Sequence, residues 1–404
     1  MQIKPILAAL RKHRIATVLI AMEIALACAV LCNACFLIAT RLQLTQVNSG
    51  VDESALAVLK VSGFDMDKPG DLNARMVAGL RAVPGVQSAS VVNTVSFGEQ
   101  GGNAGITLDR AGKQQGGVVG FYTGGPGSFE ALGLQLVSGR APQADDFQPM
   151  AAFVPNDSQV IVSRTLAEHL WPGQDPLGKE FWCDTYHFRV VGVVAHMARP
   201  GTGEGGTGTI EWSVFVPAQP GPNLAGTYLL RADPKDLSRV LRDAKAAVAK
   251  IAPDMVLDHG ASRTIGDLRS DYFRQDRVMA GMLVGVITAL LLVTALGIVG
   301  LASFWVQQRR RQIGIRRAIG ATRGDILRYF QIENFLIVTS GIALGMLLAY
   351  ALNLVLMQHY ELPRLPLYYL PVGALMLWAL GQLAVLGPAL RAAAVPPVVA
   401  TRSV

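Results

Sequence analysis

Four stretches of the chain are apolar almost throughout, at 15–40, 278–305, 333–357 and 367–390, and each is long enough to cross a bilayer as a helix. Between the first two lies a polar block, 41–277, large enough to fold around its own core. Its edges repeat one pattern. Residues 55–62 alternate as a strand, 71–82 have helical spacing and 86–97 alternate again; 227–232, 234–251 and 255–259 then read as strand, helix and strand. Two such units flanking a longer irregular insertion, with a further strand at 210–216, predict a split α/β sandwich carrying a second lobe. Polar helical patterns at 41–49 and 263–274 extend the first two spans outward, the second running straight into its span. The fold class is a membrane protein with four transmembrane α-helices and a large mixed α/β extracytoplasmic domain between the first two.

Residues 306–332, between the second and third spans, hold a finer pattern. Ile315, Ala318 and Ile319 fall on one face of a short helix. Gly320 supplies the left-handed residue that ends it. Thr322 is the N-cap of the next helix, with Asp325 three positions on as its capping-box partner. The outer loop 358–366 has no room for a domain, and 391–404 form a short tail. An amphipathic lead-in at 1–14 precedes the first span, which is read as an uncleaved signal anchor because its apolar run exceeds that of a signal peptide.

Charge orients this arrangement. The formal net charge of +7 is split, for residues 42–276 hold 20 Lys/Arg against 25 Asp/Glu. Thirteen basic residues lie just outside the spans on the other side, seven of them arginines at 309, 310, 311, 316, 317, 323 and 328. The positive-inside rule therefore puts both termini and 306–332 in the cytoplasm and the large block outside. The basic balance therefore reports membrane orientation and not a nucleic-acid partner. Of the four cysteines, Cys28, Cys32 and Cys35 lie in the first span and Cys183 is alone outside, so no disulfide framework supports the external block.

Little else carries chemistry. Gly173 to Glu180 resembles a phosphate-binding loop but has a carboxylate where the magnesium-binding hydroxyl belongs. Gly201, Gly203 and Gly206 are followed by a strand pattern instead of a helix, and read as a hairpin tip. No histidine pair has metal-ligand spacing, and no nucleophile elbow appears. Neither a catalytic residue, a cofactor site nor a metal site is expected. Within the spans, Glu23 and Asn33 are polar. Glu23 is either a functional intramembrane carboxylate or, with Asn33, a polar contact between helices. With Asn353 they are nearly all the polar content read in the spans, so no hydrophilic pathway is evident.

The run RRRQIGIRRAIGATRGDILRYFQIENFL resembles the signature of MacB/FtsX-type ABC transporter permeases. PGVQSASVVNTVSF, GSFEALGLQLVSGR, VIVSRTLAEHLWPGQDPLGKEF and FRVVGVVAHM resemble the MacB-like periplasmic core domain, and the tail GPALRAAAVPPVVATRSV resembles the family's ending. The resemblance implies that the edge units form a porter-like lobe and the insertion a lobe above it. It implies that the coupling segment, with Arg309, Ile313, Gly314, Ile315, Arg316, Arg317, Ile319, Gly320, Thr322 and Asp325, meets a separate ABC ATPase subunit that binds ATP and Mg. It also implies a second permease, identical or homologous, and a bacterial inner-membrane location. The expected mechanism is mechanotransmission driving efflux of a peptide, antibiotic or similar substrate, with a periplasmic adaptor and an outer-membrane channel as further partners. A signalling permease that controls a cell-wall hydrolase or senses peptides, and a lipoprotein-extracting permease, are the alternatives. The bland reading of the basic segment is a topogenic loop that binds anionic lipid.

Overall fold

The structure is a computed structural model that describes residues 14–63, 69–98, 101–200, 207–360 and 364–394. The lead-in 1–13, the glycines 201–206 and most of the tail lie outside these residues. The chain divides into two compact units, one built from its two ends and one from residues 44–275.

The first helix, α1, runs Arg14–Thr45. The extracytoplasmic unit follows with β1 (Leu56–Ser62), α2 (Pro69–Arg81) and β2 (Val86–Val91). An inserted lobe contains β3 (Asn103–Thr107), β4 (Gln115–Gly124), α3 (Ser128–Leu132), β5 (Leu136–Gly139), β6 (Gln148–Pro149), β7 (Asp157–Ser163), α4 (Arg164–Leu170), β8 (Glu180–Cys183), β9 (Tyr186–Val194) and β10 (Ser213–Gln219). The chain then returns through β11 (Thr227–Ala232), α5 (Leu237–Ile251), β12 (Val256–Leu257) and α6 (Ile265–Tyr272).

The two edge units combine into one antiparallel sheet, ordered β12-β1-β11-β2. This is the split βαβ arrangement, in which both crossovers place their helices on one face. Period-2 alternation explains the core. Ala57, Leu59 and Val61 of β1 point toward Met76 and Leu80 of α2 and Val240 and Ala244 of α5. Leu56 and Val58 point the other way, into a cluster with Val95, Phe97, Phe129 and Phe273.

In the inserted lobe the order β4-β3-β8-β9-β7-β10 closes on itself, because β10 also pairs in parallel with β4. Closure into a small barrel pairs the two ends of this six-strand ring, and the short β5 and β6 lie alongside β9 and β10. Ile106, Phe121, Phe181, Phe188 and Val214 fill the interior. The phosphate-loop lookalike lies here between a helix and a strand, the reverse of a nucleotide loop, and Lys179 donates to Gln174 at 2.9 Å. Between β5 and β6, buried Asp146 accepts from Arg140 at 2.9 Å and from the Gln143 amide at 2.7 Å. The Arg140 hydrogen bonds hold this carboxyl below its usual range. A depressed folded-state value stabilises above the unfolded value of about 3.9 and is lost as pH falls through the folded one. The stability gap between the wild type and Asp146→Asn should therefore be constant near neutrality and shrink below about pH 4. Denaturant titrations at pH 7 and pH 3.5 would reveal it; a gap unchanged at the lower pH would contradict the assignment.

Three sequence expectations are corrected. The strand expected over 86–97 ends at Val91, because Asn93 turns the chain toward β4, donating to the Phe121 carbonyl at 3.1 Å and accepting the Thr123 amide at 2.8 Å. The strand expected at 210–216 is β10, shifted three residues on, because the Trp212 amide closes a turn onto the Thr209 carbonyl. The outer extension of the second span is not continuous. Thr264 caps α6, and the helix breaks at Phe273 (φ −89°, ψ 9°) before the next begins at Arg274. Burial of the Phe273 ring, 5.6 Å from Phe97 and 4.9 Å from Tyr272, outweighs the hydrogen bonds of an unbroken helix.

The membrane unit adds α7 (Arg274–Gln308), α8 (Arg310–Ala318), α9 (Arg323–Tyr360) and α10 (Tyr369–Ala393) to α1. Among the described residues, α1, α7, α9 and α10 are four helices long and apolar enough to cross a membrane. Small residues let these helices approach closely, as packing in lipid requires. A Cβ on Gly345 of α9 would lie 2.4 Å from the Cys28 Cβ and 2.7 Å from the Ala25 carbonyl oxygen of α1. Gly341, one turn earlier, abuts Ile24 and Ala21, and Gly373 of α10 abuts Cys32. The three cysteines of α1 are free, and two of them are spent on this packing.

Candidate coupling site

The segment between α7 and α9 is built by local rules. Helix α7 stops at Gln308, and Arg309 (φ −100°, ψ 8°) is the single residue between it and α8. Helix α8 ends before Gly320, whose φ of +107° only glycine adopts without strain. Thr322 then caps α9 in a reciprocal box. The Asp325 amide donates to Thr322 Oγ1 at 3.2 Å, and the Thr322 amide donates to Asp325 Oδ2 at 3.0 Å.

Tertiary contacts divide the candidate residues into two sets. Ile313 and Gly314 turn inward, Ile313 against Ile326, Phe330, Ala389 and Ala392, so α8 rests on the ends of α9 and α10. Arg317 donates to the Ala393 carbonyl at 3.1 Å, and the Arg316 guanidinium lies over the Tyr329 ring at 5.1 Å. Arg309 is also drawn inward. It donates to both carboxylate oxygens of Glu333, at 2.8 and 3.0 Å, and lies 5.7 Å from the Trp305 ring. Glu333 is buried.

The other set faces outward. Ile315 and Ile319 are 46% and 81% exposed, with Ala318 exposed beside them and Gly320, Thr322 and Asp325 following along the turn. Among the described residues, nothing covers these apolar side chains on a helix rich in arginine.

Deeper in the unit, Glu23 and Asn33 do not meet. Glu23 packs beside α7, where a Cβ on Gly297 would lie 2.8 Å from its carboxylate. Asn33 donates to its own helix at Ala29 and to the Ala349 carbonyl of α9, both at 3.0 Å. The interior also holds polar residues that the sequence reading passed over. Besides Glu333, buried Asn334 donates to the Gly381 carbonyl of α10 at 2.8 Å. Asn353, which the sequence reading did include, accepts the Leu365 amide at 2.9 Å.

Comparison with known proteins identifies the family of the chain. The MacB 1 macrolide export ATP-binding/permease protein of Aeromonas hydrophila is 29% identical over 360 residues, covering 85% of this chain and 51% of the relative. The YknZ ABC transporter permease of Bacillus subtilis, described as uncharacterized, is 24% identical, covering 55% of this chain and 54% of the relative. The chain thus spans about half the length of these curated relatives. The crystal structure of the periplasmic region of MacB from Actinobacillus actinomycetemcomitans matches 57% of this chain and 97% of that one, at 13% identity and a TM-score of 0.35. The MacB-like periplasmic core domain model matches residues 20–247, and the FtsX-like permease C-terminal model matches 284–397. Core domain and permease region lie in one chain in this order, one match alone covering more than half of it, and the chain belongs to the MacB/FtsX family of ABC transporter permeases.

Proposed function

We propose that this chain is the membrane subunit through which an ABC ATPase drives changes in the extracytoplasmic unit, and that the ATPase grips α8 and the turn after it. The observation that carries the reading is the exposed pair Ile315 and Ile319 on a short helix set between two spans. Arginines around an apolar pair steer and orient an acidic partner surface, while the apolar pair supplies the buried centre. ATP and Mg belong to that partner. Ile313 and the Arg309–Glu333 pair fix α8 to α9, so a push on α8 moves α9 and α7 instead of bending a loop. We extend to the assembly a second permease and, on the strength of the export named for the Aeromonas hydrophila relative, efflux of a peptide, antibiotic or similar substrate by way of an adaptor and an outer-membrane channel.

Topology is the first test. In a chain freed of its four cysteines, a cysteine at exposed Lys113 should react with an impermeant maleimide in intact cells, and one at exposed Arg323 only after permeabilisation. The opposite pattern would place the segment out of reach of any ATPase and end the proposal.

A further inference from the structure

Beside α2, the extracytoplasmic unit carries an open groove of about 370 Å³. Small-molecule sites occupy about 300–1,000 Å³ and join apolar walls to a few placed polar groups. Helix α2 is apolar on two sides. Leu72, Met76 and Leu80 pack into the core of the split sheet, while Ala74, Val77 and Ala78 line the groove. Pro126, from the loop after β4, and Pro220, from the loop after β10, complete the apolar lining. Ala74, Ala78 and both prolines are exposed and Val77 is half-buried, so this apolar surface is open to a ligand.

The groove is built before any ligand arrives. The Gly125 amide donates to the Val91 carbonyl at 2.8 Å, and Ser90 Oγ donates to the Pro126 carbonyl at 3.3 Å. Buried Asn73 donates to the Leu224 carbonyl at 3.0 Å, which ties α2 to the turn after Pro220. A Cβ on Gly125 would lie 3.2 Å from the Pro220 ring, so the two proline loops abut. Among the described residues, Arg81 is the one charged side chain in the lining. Its Nε and Nη2 donate to the Ala89 carbonyl at 3.3 and 3.0 Å, which fixes the guanidinium without neutralising it. Among the described residues Nη1 has no partner and no carboxylate pairs with Arg81. The acid of α2, Asp71, lies in the first turn and pairs with Arg75 at 3.0 Å.

We propose that this groove binds a small amphipathic anion, its carboxylate against Arg81 and its apolar body against Ala74, Ala78 and the two prolines. A guanidinium with N–H groups to spare suits a carboxylate, and the lining holds no acid to compete with it. An ammonium would meet only a like charge here, so the groove selects by sign. Helix α2 belongs to the split sheet and the prolines to the inserted lobe, so a bound ligand touches both. The proposal stands apart from ATPase docking at α8, and its test reads neither transport nor ATP hydrolysis.

The test is protection of a single cysteine, Ala78→Cys, in the full chain freed of its four native cysteines and held in lipid nanodiscs. Phenylbutyrate, phenylbutanol and phenylbutylamine share one apolar body and carry a negative, a neutral and a positive head. Millimolar phenylbutyrate should slow the reaction of this cysteine with a maleimide, the alcohol should slow it less, and the amine should leave it unchanged. Lys113→Cys, exposed elsewhere, should react at one rate throughout, which separates binding from partition into lipid. Arg81→Gln removes the charge and should weaken phenylbutyrate about tenfold, equivalent to about 1.4 kcal/mol. Arg81→Lys, which keeps the charge, should retain most of the affinity. Ala74→Trp, which fills the groove, should abolish the protection. Equal protection by the amine, unchanged affinity in Arg81→Gln, or no protection of Ala78→Cys by phenylbutyrate would each overturn the proposal.

Discussion

Arg309→Ala is expected to destabilise the membrane unit by about 3–5 kcal/mol, the cost of leaving a buried carboxylate without its counter-charge. Glu333 is 1% exposed and Arg309 12% exposed, so water cannot replace the lost partner. The pair also sits at the one-residue joint between α7 and α8, and Trp305 covers its other side. Removing both charges is a different experiment. Arg309→Met combined with Glu333→Leu fills the same space with apolar atoms and should recover most of the stability, because a buried ion pair is worth little against a well-packed apolar one. The double variant would still lose the defined angle of α8. Unfolding in mixed detergent micelles measures all three changes. A cost below about 1 kcal/mol for Arg309→Ala would mean that the pair is solvated like an ordinary surface salt bridge.

Gly345→Val is the second large effect. The added Cβ would meet a backbone oxygen and a Cβ atom of α1, neither of which can rotate away. Overpacking of this kind costs about 1–3 kcal/mol when neighbours can shift, and more when the clash is with backbone. Helices α1 and α9 must then separate, which also breaks the Asn33 bond to Ala349 and leaves the amide only its bond to Ala29 in an apolar interior. Gly300→Val is the control, since a Cβ there meets nothing within 4 Å. Thermal unfolding of both variants should show a large loss for the first and little for the second. Equal effects would mean that glycine acts at these positions through helix propensity alone.

What could be read in the sequence depended on how local the determining contact was. Gly320 and the Thr322–Asp325 box are set within six residues, and both appear as the residue types required. The split sheet was legible because each strand alternates and each helix is bounded by turn residues. The barrel was not, since its closure depends on parallel pairing of Phe121 with Val214 and Phe215 nearby, contacts that no local pattern encodes. The run after Val91 looked like more strand because its residues alternate; the side chain of Asn93, bonded to β4, ends it. Phe273 likewise fits a helical pattern, and only its aromatic neighbours explain the break. Glu333 carried a faint signal, an acid at the start of a span within reach of an arginine at the end of the one before. Exposure also sorted the coupling residues in a way that helical periodicity could not, for Ile313 and Ile315 are both isoleucines and only one is covered.

The most direct measurement of the central claim is co-purification of the ATPase partner with Ile315→Asp and Ile319→Asp chains, alongside the unfolding midpoint of each. Both positions are exposed, so the fold should be unaffected, and a carboxylate in an apolar contact should remove most of the bound partner. Gly320→Val, which strains the turn by about 1–2 kcal/mol without meeting any neighbouring atom, should weaken retention as well by tilting α8. Reduced partner with an unchanged midpoint is the predicted result. Full retention of the ATPase by all three variants would contradict the account and leave α8 a basic loop whose task is to hold the membrane topology.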